Sequence, residues 1–184
     1  YTYYMITTVK LSRFLNSYLK IKQIPDFSRN GLQVNAGKIT KIGFCVDACI
    51  ETFMDAKKKG CDCLIAHHGI FWKGVRDSTG TRKRRIYYLK KNRINLYGIH
   101  LPLDMHPVVG NNAVIADIFG LKNIRAFGDY HGMKIGFSGD LDVSIDKLEE
   151  VIKRKIKKDA LVLKFGKKAI KRIAVVSGGG SGTL

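Results

Sequence analysis

The segment Cys61–Lys73 reads CDCLIAHHGIFWK. Its apolar run, Cys63-Leu64-Ile65-Ala66, has strand character and breaks off at His67, His68 and Gly69. Open α/β sheets place their sites at the C-terminal ends of strands. The segment therefore predicts both a fold class and the place where its chemistry sits. Neighbouring strand residues point to opposite faces, but the backbone turns at a strand end, and Gly69 permits turns closed to other residues. Two adjacent imidazoles can then each serve a separate metal ion. Two ordinary polar residues at a strand-to-loop junction would look the same, so the flanking sequence has to decide.

Upstream, Thr8–Leu19 carries Val9, Leu11, Phe14, Leu15, Tyr18 and Leu19 at helical spacing. A turn-rich connection with Pro25 and Asn30-Gly31 follows, then a short extended piece, Leu32–Val34. Ile39–Asp47 predicts a strand ending in Asp47. Ile50–Lys59 predicts a helix closing on three lysines and Gly60, the cation-then-glycine ending. Downstream, Lys73–Arg85 reads as an exposed basic loop running into a helix over Arg85–Lys91. Ile94–Ile99 is another strand, and it too ends in chemistry, His100-Leu101-Pro102-Leu103-Asp104. A helix over Ala113–Phe119 is stopped by Gly120. The order βαβαβα argues for a mainly parallel sheet with helices around it. In such a sheet the two strand ends bearing His67-His68 and His100/Asp104 share an edge.

The second part offers a strand over Met133–Ser138 and a helix over Ser144–Lys157, with Ser144 as N-cap and Leu148, Val151, Ile152 and Ile156 as its apolar face. Further strands are expected at Ala160–Lys164 and Lys171–Val176. The last (KRIAVV) echoes Lys41–Val46 (KIGFCV), a weak internal repeat. The glycine-rich Gly178–Gly182 suits a tight turn or a phosphate cradle. It lacks the lysine of a Walker motif. A turn of this kind normally leads into a helix, so the sequence reads as a fragment, with Met5 as a natural start and Tyr1–Tyr4 as an extension.

Thirty-three Lys and Arg stand against 15 Asp and Glu, a net charge of +18. That excess favours anionic partners, nucleotide or nucleic acid, although a solvated basic surface gives the same count. No apolar run approaches the roughly 18 residues of a membrane span, and the N-terminus lacks the parts of a signal peptide. Cys45, Cys49, Cys61 and Cys63 form no CxxC pair and fall in or beside apolar segments. They predict a reduced, cytoplasmic protein without disulfides.

Imidazole with carboxylate is a ligand set for zinc, iron or manganese. His67, His68 and Asp104 make a minimal set, with Asp104 able to bridge two ions. His100 is the candidate catalytic residue, as proton-transfer group, ligand or outer partner. His106, before Pro107, is expected to shape its loop, and His131 to face solvent in a turn.

Four segments in order, Asn30–Val34 (NGLQV), Leu64–Gly74 (LIAHHGIFWKG), Gly98–Ala113 (GIHLPLDMHPVVGNNA) and Ser177–Gly182 (SGGGSG), resemble one known family. It is the metal-binding family called type-two GTP cyclohydrolase I, or NGG-interacting factor three-like. The resemblance implies an α/β fold of two intertwined repeats with mostly parallel mixed sheets and a dinuclear metal site in the cleft between them. The first repeat would be residues 1–123, carrying His67, His68 and Asp104; the second, residues 124–184, would be incomplete. His67, His68 and Asp104 fall on the family's ligand positions for two divalent ions per subunit. His100 matches the histidine that opens the second motif. Two further ligands, a His and a Glu four apart, would lie beyond Leu184. Phe27-Ser28-Arg29 replaces the acidic residue and tryptophan usual before NGLQV. The implied assembly is a homo-hexamer, a trimer of dimers. The implied activity is attack of a metal-activated water on the guanine ring of a nucleotide. Alternatives are a non-catalytic metal-handling protein and a basic assembly that binds nucleic acid.

Overall fold

A computed structural model describes residues 5–77 and 79–183. The extension expected at Tyr1–Tyr4, Ser78 of the basic loop and Leu184 lie outside the described residues. The chain divides into two compact units, Tyr1–Leu103 and Asp104–Leu184. Among the described residues no helix is long and apolar enough to cross a membrane.

The first unit opens with α1, Thr8–Tyr18, whose N-cap Thr7 accepts a hydrogen bond from the Lys10 N–H. Strands β1 (Gly31–Val34), β2 (Ile42–Asp47), β3 (Cys63–His68) and β4 (Asn95–Gly98) form one sheet in the order β1-β4-β3-β2. Strands β2, β3 and β4 run parallel, while β1 pairs antiparallel with β4. The crossovers are α2, Ile50–Lys58, and α3, Thr81–Lys91. Side-chain alternation along β3 divides the core between the two faces. Cys63 and Ile65 turn toward α1, among Leu11, Leu15, Leu19, Ile39 and Tyr97. Leu64 and Ala66 turn toward α2 and α3, among Phe53, Ala56, Leu89 and Leu96. Burial of each large apolar side chain contributes about 1.5–3 kcal/mol, which is why the continuous apolar run of β3 occupies an interior position of its sheet. The buried Tyr97 hydroxyl donates to Asn16 Oδ1 and so ties α1 to β4.

Helix α3 begins at Thr81, four residues earlier than expected, so Arg82–Arg85 belong to the helix and not to the loop before it. Gly80 adopts a left-handed φ of 69° there, and Asp77 Oδ2 accepts from the Arg82 N–H, which together start the helix early.

After the single turn α4, Leu101–Asp104, come α5 (Asn111–Phe119), β5 (Lys122–Tyr130), β6 (Met133–Ser144), α6 (Ile145–Lys155) and β7 (Ala169–Val175). The second sheet, β5-β6-β7, is antiparallel throughout, which corrects the expectation of a mainly parallel arrangement for this part. Strand β5 was not anticipated, because its mostly exposed side chains lack the apolar alternation that marks a half-buried strand. Ala160–Lys164 is not a strand. The segment runs outside any ladder, and Lys164 reaches back to Asp146 and Glu149 of α6 at 2.7 and 2.5 Å. The Ser144 cap holds as expected, its hydroxyl accepting from the Lys147 N–H. Asn112, fully buried on α5, donates to the carbonyls of Ile135 and Asp104 and accepts from the Ser177 N–H at 2.6 Å.

Candidate metal centre

Strand β3 delivers His67 and His68 at its end, and the chain leaving β4 delivers His100. One nitrogen from each of the three rings lies within 4.8 Å of the others. The ring centroids are 4.7 Å (67–68), 5.0 Å (67–100) and 5.6 Å (68–100) apart. Trp72 walls one side, 5.0 Å from the His100 ring and 6.1 Å from His68. The indole N–H of Trp72 donates to the Gly69 carbonyl, which fixes that wall.

The outward nitrogens explain the orientation. His67 Nδ1 lies 3.0 Å from the Ile99 carbonyl oxygen, His68 Nδ1 lies 2.8 Å from Asp47 Oδ1, and His100 Nδ1 lies 3.0 Å from Asp26 Oδ1. A carbonyl and two carboxylates only accept, so each Nδ1 carries the proton and donates. The lone pair of each neutral ring is then on Nε2, the arrangement found in ligating histidines backed by a carboxylate or a backbone carbonyl. The donor chemistry therefore fits a divalent ion of the zinc, iron or manganese class.

Asp26 and Asp47 were not singled out from sequence as site residues. Asp47 ends β2 in register with His68, so parallel pairing puts the two side by side. Asp26 is held by more contacts. Its carboxylate accepts from the Ser28 and Leu101 N–H groups, from Asn30 Nδ2 and from His100. Burial alone would raise its pKa, but the bonds from His100, Asn30 and Ser28 outweigh burial and hold it below the ordinary value. The available signal was the D-x-S turn ahead of NGLQV, since an Asp side chain commonly accepts from the N–H two residues on.

The NGLQV motif also aligns the strand ends. Asn30 Oδ1 accepts from the His100 N–H at 2.7 Å. Gln33 Oε1 accepts from the Ile70 N–H at 2.8 Å, and its Nε2 donates to the Arg29 carbonyl at 2.7 Å. The Gln33 amide lies so close over Gly69 and Gly98 that a Cβ on either would collide with it. Gly31 adopts a φ of 110°, a conformation open to glycine.

The remaining candidates are placed as follows. Asp104 is buried in the second unit, where its Oδ1 accepts from Asn111 Nδ2 (2.8 Å) and Ser177 Oγ (2.7 Å). His106 Nδ1 accepts from the Val108 and Val109 N–H groups and shapes its loop as expected. His131 sits exposed in the turn between β5 and β6. The Gly178–Gly182 run enters a short 3-10 turn, Gly180–Thr183. The four cysteines are free thiols. Burial pushes Cys45 up to about 11 and Cys63 up to about 12, so both are neutral thiols at neutral pH in the metal-free protein.

A family model described as Duf34/NIF3 (NGG1p interacting factor 3) matches residues 6–184. A protein of Archaeoglobus fulgidus named GTP cyclohydrolase 1 type 2 homolog is 42% identical over 171 residues, covering 91% of this chain and 68% of that protein. A protein of the same name from Deinococcus radiodurans is 38% identical over 178 residues, covering 95% of this chain and 68% of its own length. Among solved structures, TTHA1606 from Thermus thermophilus superposes with a TM-score of 0.86 at 33% identity, covering 96% of this chain and 72% of that one. A protein named ybgI, described as of unknown function, gives 0.85 at 32% identity, with coverage of 95% and 71%.

Proposed function

The chain belongs to the Duf34/NIF3 family, and from that premise we propose that it is a divalent-metal-binding protein acting as a metal-dependent hydrolase on a guanine nucleotide. The observation that carries the metal reading is the three imidazoles whose Nδ1 atoms all donate outward, with one nitrogen of each ring gathered within 4.8 Å. The hydrolase reading rests on the names of the relatives together with that cluster. His67 and His68 are the proposed ligands, and Asp104 and a second ion rest on the family motif alone. A bound ion of this class supplies Lewis acidity and an activated water. His100, backed by Asp26, is the third proposed ligand through Nε2 and, where no ion holds that atom, the group that takes or returns a proton; Trp72 walls one side of it.

Elemental analysis after reconstitution with zinc, iron or manganese tests the reading. The expected result is about one to two ions per chain, removed by chelation, with turnover of GTP lost and regained in step. A protein that takes up none of the three ions overturns it. Uptake without turnover of any nucleotide leaves the metal-handling alternative.

One observation favours a basic-surface reading as a second function. The first unit holds 19 Lys and Arg against 6 Asp and Glu, and the second holds 14 against 9. Helix α3 alone carries Arg82, Lys83, Arg84, Arg85, Lys90 and Lys91 with no acidic residue. Among the described residues no salt bridge joins these six cations to a carboxylate, Arg85 acting on Glu51 only at longer range, and Tyr87 is exposed beside Lys91. On this reading affinity for duplex nucleic acid falls steeply with salt. Replacing Lys83 and Arg84 by alanine lowers the log–log slope by about one for each phosphate no longer neutralised. Anisotropy titrations across salt concentrations check it; a flat salt response removes it.

A further inference from the structure

We propose that Asp26 is a positioning residue: its carboxylate fixes His100 in the tautomer and rotation that turn Nε2 toward His67 and His68. The consequence for metal affinity rests on the metal reading above, whereas the tautomer itself does not. The Asp26 side chain is 3% exposed and that of His100 22%, so water does not compete strongly for the bond between them. Every group that meets the Asp26 carboxylate is a donor. Oδ1 accepts from the Ser28 N–H and His100 Nδ1, both at 3.0 Å. Oδ2 accepts from Asn30 Nδ2 at 2.8 Å and the Leu101 N–H at 3.0 Å, with His100 Nδ1 at 3.2 Å. Two of these donors are backbone N–H groups and cannot reverse. The Leu101 N–H also follows His100 directly, so one carboxylate grips both the ring and the backbone beside it.

An amide at position 26 would have one accepting oxygen and one donating nitrogen. Whichever way it faced, its NH2 would meet a backbone N–H. In the Oδ2 place the NH2 would meet two donors, the Leu101 N–H and Asn30 Nδ2; in the Oδ1 place it would meet only the Ser28 N–H, and there His100 can accept from it by moving its own proton to Nε2. That change would turn an N–H toward the other two rings in place of a lone pair. Asp47 makes the corresponding bond to His68 but is 68% exposed, so solvent can replace it. The two carboxylates therefore contribute unequally.

The test uses the full chain, free of metal and labelled with 15N histidine, with the tautomer of each ring read from two-bond nitrogen–proton couplings. In the unaltered protein His100 is expected with its proton on Nδ1; a proton on Nε2 there overturns the proposal without any variant. Asp26→Asn is expected to move the proton of His100 to Nε2 while the signals of His67 and His68 hold. Zinc affinity should fall about 10–100-fold, as for other partners of ligating histidines. Asp26→Glu should restore the His100 signature in part, which a general loss of folding would not allow. Asp47→Asn should shift His68 alone. Unchanged His100 couplings and unchanged zinc affinity in a folded Asp26→Asn protein overturn the assignment. If the unaltered protein binds no zinc, the metal reading fails, and the couplings still decide the role of Asp26.

Discussion

Replacing His68 with alanine should lower affinity for a first-row divalent ion by about 100-fold or more, since the change removes a ligand and outer partners alone account for about 10–100-fold. Folding should be retained. The His68 side chain is 42% exposed and ends its strand, outside both faces of the first core, so no buried apolar volume is lost. Competition with a chromogenic chelator measures the affinity, and the thermal midpoint reports the fold. Full metal load in the variant would exclude His68 as a ligand. The same change should leave nucleic-acid binding by α3 untouched, which separates the two proposed functions in one preparation.

Gly98→Ala should cost about 1–3 kcal/mol, the usual range for forcing an extra methyl into a packed place. The new methyl would meet the Gln33 amide. Gln33 has a flexible side chain, but it is not free to move: its amide holds the Ile70 N–H and the Arg29 carbonyl. Displacing it strands a backbone N–H directly after Gly69 and loosens the His67-His68 end of β3. The penalty should shrink in a Gln33→Ala background, because the obstacle and its bonds are already gone. A double-mutant cycle on urea unfolding measures that coupling. Additive costs would show that the close approach carries no energy.

The legible part of the fold was the part written in apolar runs. The Cys63–His68 strand and β4 follow from side chains that must be buried on two faces, and the helices after β2 and β3 fix the parallel order; β2 is the edge, with Phe44 and Val46 exposed. β5 was illegible for the converse reason: its outward-facing Lys122, Asn123, Ile124 and Arg125 carry no alternating pattern to detect. The apolar residues of Ala160–Lys164 suggested a strand, yet Leu161, Leu163 and Phe165 stay exposed. There the ion pairs of Lys164 to α6 hold the chain, and hydrophobic spacing says nothing about those. At the site, the histidine pair and His100 announced themselves at strand ends. Asp26 did not, because it lies in a connection 74 residues from the ring it grips. Its importance comes from four donors that only the folded chain brings around it.

The unequal exposure of the two carboxylates has a kinetic side. For an ion held by the three imidazoles, the Asp47–His68 arm is the wet one and the Asp26–His100 arm the dry one. Exposed side chains change rotamer in picoseconds to nanoseconds, so the wet arm opens and closes long before the dry one yields. Entry and escape of such an ion would then run on the His68 side, with Asp47 and salt setting their speed. The dry arm keeps its geometry while the ion comes and goes, so each newcomer meets the same half-built cage. Exchange of such an ion would be quick without the geometry of the dry arm being lost.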